Sequence, residues 1–359
     1  MHVAPGMEAH AHDRHSPTRW LSWILGVAAI AALVVFVVQL SEERAFMSML
    51  ERANPWWVIV AFALQLLTYA AEGAIWRIIA RRTGATLSIG AAFRLSVTKL
   101  FVDQSLPSGG LSGAAVVAGA LERRGIGRPI AIATLVVDIV GYYVAYLVAL
   151  VSALVISRVQ GHAGIVVVFP AVLFSSFAAA VIVVLLVFAG RGARSGAKPA
   201  RIPFLRRALL VIRRADRDVV RDLRNLLAAA SLELAIILLD AATVWTLIRA
   251  LGFDAPVVGV YAAFLVASLF RTISITPAGL GAFEAASVIA LENAGVPLAV
   301  ALSATLLFRG LSFWLPMLPG LVLARQLRTA PPDLRGAGEP PIDPGPAVAG
   351  ARSAARRGV

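Results

Sequence analysis

The side chains able to do chemistry in this sequence are charges set within or beside long apolar segments: Glu72, Arg94, Lys99, Asp103, Asp138, Glu233, Asp240, Arg271, Glu284 and Arg309. A charge at the centre of a bilayer costs about 2.5–3.5 kcal/mol on insertion scales, so such groups pair with one another or face water. Both signs are present, which makes internal pairing feasible. Lys99 and Asp103 stand four residues apart and could pair along a helix. The alternative is that Lys99, with Lys198 the only lysines in an arginine-rich chain, is a compact cation for a phosphate or carboxylate. Arg271 precedes and Glu284 follows the string Pro277-Ala-Gly279-Leu-Gly281. A helix starting near Leu280 would offer free N–H groups and its positive end to an anion, with Arg271 and Arg309 beside it. Glu284 reads first as the cap of that helix or as an arginine partner. Glu72, Asp103, Asp138 and Asp240 are candidates for ion pairs or for carrying a coupling proton.

Two broken segments must position these groups. Segment 87–121 is interrupted by Ser105-Leu-Pro107-Ser-Gly109-Gly110, and segment 257–292 by Ile275-Thr-Pro277-Ala-Gly279-Leu-Gly281. Backbone freed by such a break is tolerated at membrane depth only where it is buried in protein or lines a wet cavity. Matching breaks in two halves of a chain point to a central transport site. Pro107, Gly109, Gly110, Pro277, Gly279 and Gly281 would shape that site, with Arg94, Lys99, Arg271 and Arg309 contacting an anionic headgroup.

Composition sets the class. Of 359 residues, 59% are hydrophobic and 15% charged, and the mean hydropathy is +0.82. A soluble domain would lack a polar surface on that composition. Apolar runs long enough to cross roughly 30 Å of hydrocarbon recur, with full spans expected at 20–40, 55–76, 129–156, 165–189, 226–248 and 296–324. Tails are expected at 1–19 and 326–359, both disordered. The fold class is an all-α polytopic membrane protein: about six full spans plus two oppositely oriented re-entrant helical hairpins, in an inverted-repeat architecture.

Charge gives the orientation. The net charge of +13 sits in short loops, as the positive-inside rule requires, and no motif supports nucleic-acid binding. Loop 41–54 carries Glu42, Glu43 and Glu51 and reads as outside. Arg77, Arg81 and Arg82, then Arg123, Arg124 and Arg128, and above all loop 190–225 read as cytoplasmic. Both termini then lie on the cytoplasmic side, and the membrane is the cytoplasmic membrane of a bacterium, a source suggested by the Ala, Val, Gly and Arg content. The first half covers about 55–157 and the second about 226–325. Trp76 answers Trp245, Glu122 answers Glu292 and Gly125 answers Gly295. Apolar residues from Ala208 to Leu226 recur at helical spacing opposite arginines, which predicts one interfacial helix over 206–226 held by anionic lipid headgroups.

Catalytic constellations are missing. There is no Ser/His/Asp arrangement and no Walker loop, cysteine is absent, and His10, His12 and His15 sit in the first tail without partner ligands. No enzyme activity, cofactor or metal is expected.

Four strings, Pro107-Ser-Gly-Gly-Leu-Ser-Gly, Asp138-Ile-Val-Gly, Ser274-Ile-Thr-Pro-Ala-Gly-Leu-Gly-Ala-Phe-Glu284 and Phe308-Arg-Gly-Leu-Ser-Phe-Trp-Leu-Pro316, resemble the lysylphosphatidylglycerol synthase transmembrane-domain family over about residues 20–325. The Pro-Ala-Gly-Leu-Gly-Ala-Phe-Glu string is the most specific. In two-part members of that family the membrane region is flippase-like and a separate soluble domain makes the aminoacyl lipid. The resemblance implies lipid handling without synthesis here, since only a short tail is expected after Ala324. The expected function is a flippase-like transporter moving a phospholipid or polyprenyl-linked lipid between leaflets. The alternative is a scaffold that presents lipid to an envelope-biosynthesis enzyme.

Overall fold

The computed structural model describes residues 51, 53–106, 111–159, 165–191, 209–274 and 276–329. The span expected at 20–40, the tails up to 19 and beyond 329, the stretch 192–208, and Pro107, Gly109 and Gly110 lie outside the described residues.

Every regular element among the described residues is helical. First come α1 (Pro55–Arg82), α2 (Ile89–Ser105), α3 (Leu111–Glu122) and α4 (Arg128–Val159). Next are α5 (Ile165–Arg191) and the short α6 (Arg217–Arg221). Then α7 (Leu223–Ala250), α8 (Val257–Ile273), a 3₁₀ turn (Pro277–Gly279) and α9 (Ala282–Asn293) lead to α10 (Leu298–Arg309). That helix continues through a π-helical turn (Gly310–Trp314) into α11 (Leu315–Thr329).

Lengths recur along the chain. Helices α1 to α4 have 28, 17, 12 and 32 residues. Helices α7 to α9 have 28, 17 and 12, followed by a continuous helical run of 12, 5 and 15 residues. The turns recur as well. A glycine with positive φ follows α1, α3, α7 and α9, at Gly84, Gly125, Gly252 and Gly295. After each, the next N–H reaches back five residues: Ala85 to Ala80 O (2.9 Å), Ile126 to Leu121 O (3.2 Å), Phe253 to Ile248 O (3.2 Å) and Val296 to Leu291 O (3.0 Å). This is the Schellman closure, which needs a left-handed residue that glycine supplies without a Cβ clash.

Helices α1 and α7 pack along their length and run antiparallel. The Asn54 N–H at the start of α1 donates to Ala250 O at the end of α7 (2.8 Å). At the other end Arg82 donates to Asn225 (2.8 Å). That second end also gathers Arg81, Arg123, Arg124, Arg128 and Arg224, because Asp216 N–H bonds Pro129 O (3.0 Å) and joins the basic connector to the start of α4.

The single helix expected over 206–226 does not form. Helix ends at residue 212, and Asp216 then accepts from the Asp218 and Val219 N–H groups while Asp222 accepts from that of Arg224. Each aspartate starts a new helix, since a short carboxylate bonds free N–H groups better at a cap than in a helix interior. Ala215, Val219 and Val220 are buried.

The core is divided. One apolar cluster contains Ile75 to Ala80 of α1, Ala131 to Val140 of α4 and Ala229 of α7. The other contains Ala61 of α1, Ala145 to Ala153 of α4 and Ile237 to Ile248 of α7. Between them these three helices carry buried polar groups, namely Gln65, Thr68 and Asp138, Glu233 and Asp240. Outward-facing Val148, Val151, Val155, Phe177, Val183, Leu227 and Leu238 are exposed. Four helical runs, Pro55–Arg82, Arg128–Ile156, Leu223–Ala250 and Leu298–Arg325, are long and apolar enough to cross a membrane.

Candidate functional site

The first cluster forms where α2 packs against α1, beside α4. The Lys99 ammonium lies 2.6 Å from Glu72 Oε1 and 3.9 Å from Asp103 Oδ2. Its helical neighbour at i+4 is therefore the looser partner, and the tighter one comes from α1. Asp103 accepts the Gly113 N–H through Oδ1 (2.9 Å), which ties the end of α2 to α3 across the first break. A Cβ at position 113 would lie 2.6 Å from Asp103 Oδ2, so the carboxylate seats on bare backbone. Trp76 donates its indole N–H to Asp138 Oδ2 (3.2 Å), and Glu233 from α7 completes the group beside Asp138.

The second break is braced from within. Ala278, Gly279 and Gly281 have φ of 50°, 68° and 85°. Thr276 holds the turn by bonding Ser274 Oγ (2.7 Å) and Leu280 O (2.8 Å). Helix α9 begins at Ala282, two residues later than the expected start near Leu280. Glu284 caps it: Oε2 accepts the Gly281 N–H (2.7 Å), and Oε1 accepts from Arg309 Nε (2.6 Å). The Arg309 guanidinium also lies 5.3 and 4.8 Å from the Phe283 and Phe313 ring centres and reaches Ala278 O (3.4 Å). Both members of this pair are buried. Its charge is engaged by Glu284, so the structure places Arg309 as a strut of the turn.

Arg271 is held differently. Among the described residues it donates one hydrogen bond, to the Tyr146 hydroxyl at 3.4 Å, and no carboxylate lies within ion-pair distance of it. Asp240 acts on it from further away and is itself bonded by Gln65 Nε2 (3.3 Å). The Tyr142 ring lies 4.6 Å from that of Tyr146, tilted by 44°, and its hydroxyl bonds Thr272 (3.3 Å). Gly279 comes close enough that a Cβ there would stand 2.7 Å from Arg271 Cα, so the turn folds directly over this residue. Helix α2 packs against the same 3₁₀ turn, which brings the two broken segments together.

The π turn locks the halves to each other. Leu315 N–H bonds Gly310 O, leaving Leu311 O without its usual donor, and Pro316 has no N–H to offer Ser312 O. Tyr69 OH donates to Leu311 O (2.6 Å) and Gln104 to Ser312 O (3.1 Å).

Of the residues singled out from sequence, Glu72, Lys99, Asp103 and Asp138 converge in one cluster, and Arg271, Gly279, Gly281, Glu284 and Arg309 surround the second break. Arg94 is not brought to either group. It is exposed, bonds Gly90 O (3.2 Å) and lies near Arg124 at the basic end. The side chain of Pro277 lies outside the described residues. Glu233 had no assigned role, and Gln65, Trp76, Tyr142 and Tyr146 carried no local signal beyond being polar or aromatic in an apolar run.

The geometry agrees with what the chain is similar to. It is 24% identical over 330 residues to the UPF0104 membrane protein MJ1595 of Methanocaldococcus jannaschii, covering 84% of this chain and 93% of that protein. The family described as the lysylphosphatidylglycerol synthase TM region matches residues 23–320. With broken, charge-bearing helices and a match of that extent, this chain is a membrane protein belonging to the lysylphosphatidylglycerol synthase transmembrane-region family.

Proposed function

We propose that this protein moves a lipid with a phosphate-bearing headgroup between the leaflets of the cytoplasmic membrane, with Arg271 as the headgroup contact. The observation that carries this reading is the state of Arg271: a guanidinium inside an apolar bundle with, among the described residues, a single 3.4 Å bond to a tyrosine and no ion pair. A cation kept there without a partner is matched to an anion supplied from outside the chain.

The architecture supports the same reading. The recurring lengths and closures support reading α7–α11 as a second copy of α1–α4, and the corresponding helices α1 and α7 run antiparallel, as an inverted repeat requires. Helices of 12 residues are about 18 Å long and cannot cross about 30 Å of hydrocarbon, so α2–α3 and α8–α9 are re-entrant hairpins. Helix α2, which leads up to the first break, packs against the 3₁₀ turn of the second, and a headgroup would pass beside that contact. Arginines gathered at one end support a cytoplasmic position for that end.

Purified protein in liposomes with headgroup-labelled phospholipid, read by an external quencher, tests the proposal. Wild type accelerates loss of protected signal, and Arg271→Gln does not, although it unfolds at the wild-type temperature. Equal rates for the two proteins would remove Arg271 from the path. No acceleration with any phospholipid would favour a scaffold that presents lipid to a partner enzyme.

A further inference from the structure

The acids of the first cluster outnumber the cations that serve them. Glu72, Asp103, Asp138 and Glu233 all act within one group whose single cation among the described residues is Lys99. Exposure is graded through it. The side chains of Lys99 and Asp103 are 20% exposed and that of Glu72 is 14%, while Asp138 and Glu233 are 5% and 6% exposed. The wet members are satisfied, with Lys99 on Glu72 and Asp103, and Asp103 also on the Gly113 N–H.

The dry members are not. Asp138 Oδ2 takes the Trp76 N–H, but its buried Oδ1 receives no hydrogen bond from any described donor. Across the α4–α7 contact, Gly141 of α4 sits so close to α7 that a Cβ there would stand 2.8 Å from Ala229 Cβ, and Asp138 and Glu233, one turn from these two positions, act on each other there. Ionised carboxylates only accept hydrogen bonds, so this contact is repulsive when both are charged. One proton converts it into an O–H···O bond between the two acids, as in other paired carboxyls that share a proton. The charged groups acting on the pair are Glu72 from α1 and Lys99 and Asp103 from α2, and they lead outward to the wetter side of the cluster.

We propose that Asp138 and Glu233 form a binding site for one exchangeable proton, loaded by way of the Lys99–Glu72–Asp103 group, and that its loading is linked to lipid movement. The linkage rests on the lipid-moving reading above; the proton site does not. Loading and unloading changes the charge of the contact that joins α4 to α7, and these helices belong to different halves. A proton there therefore biases how the halves sit against each other.

Infrared spectroscopy of the full chain in detergent tests the site without any substrate. Wild type is expected to show the carbonyl band of a protonated carboxylic acid at neutral pH. Glu233→Gln and Asp138→Asn, which keep the shape of the protonated acid, each lose it, and Glu72→Gln keeps it. A wild type without the band, or a band surviving in both variants, overturns the site. In liposomes with labelled phospholipid, an imposed pH gradient is expected to change the wild-type rate several-fold and leave Glu233→Gln unmoved. A wild-type rate indifferent to the gradient overturns the linkage. A band with no translocation of any lipid overturns the linkage and the lipid-moving reading while the proton site stands.

Discussion

Glu284→Gln is the substitution whose cost the geometry defines best. Glu284 is 3% exposed and Arg309 is 5% exposed. One carboxylate oxygen takes Arg309 Nε at 2.6 Å and the other takes the Gly281 N–H at 2.7 Å. Glutamine keeps one acceptor but leaves the guanidinium charged between Phe283 and Phe313 with only Ala278 O nearby. Two magnitudes compete. A neutral hydrogen bond between membrane helices averages about 0.6 kcal/mol, whereas removing one partner of a buried ion pair costs about 3–5 kcal/mol because the other charge is stranded. The second applies, so Glu284→Gln is expected to lose about 3–5 kcal/mol, and Arg309→Met a similar amount for stranding the carboxylate. The double variant strands neither charge and should fall short of the sum of the two by about 1–3 kcal/mol, the coupling expected of directly contacting residues. Denaturant unfolding in detergent micelles, followed by circular dichroism, measures all three. A Glu284→Gln within about 1 kcal/mol of wild type, or a double variant equal to the sum, would refute the strut.

Other expectations follow from the same geometry. Gly279→Ala should destabilise by about 1–3 kcal/mol, from the strain of a side chain at φ 68° and its contact with Arg271, and should slow lipid movement as well; a variant matching wild type in both would detach the turn from Arg271. The chain contains no cysteine, so Arg123→Cys and Asn293→Cys, both exposed, should react with membrane-impermeant thiol reagents from opposite sides of the bilayer. Labelling from one side would break the inverted relation of the hairpins. Lys99→Met should cost about 3–5 kcal/mol by stranding the Glu72 and Asp103 carboxylates, and Glu72→Gln added to it should recover part of that loss in thermal unfolding.

Membrane class, helical content and the positions of both breaks were legible along the chain. They depend on local quantities: apolar run length against bilayer thickness, and Pro or Gly where a helix cannot continue. Glu284 was legible too, because a carboxylate three residues past Gly281 is a capping spacing. The basic connector was misread as one helix. Periodicity records which face is apolar and says nothing of where Asp216 and Asp222 cap new helices.

Partner choice was decided in three dimensions. Lys99 has an acid one turn away at Asp103, yet the 2.6 Å contact is to Glu72, 27 residues off on another helix. Arg309 looked like a headgroup ligand by type and depth, and Arg271 looked the same. Packing of α10 against α9 brought Glu284 to one, and folding of Gly279 over α8 left the other with a tyrosine. Asp138 and Glu233 are 95 residues apart in sequence, and each alone is only an acid in an apolar run. Helix register fixes which side chains share a face, but the spacing between helices, which sets Coulomb energy and desolvation, comes only from how the halves close on each other.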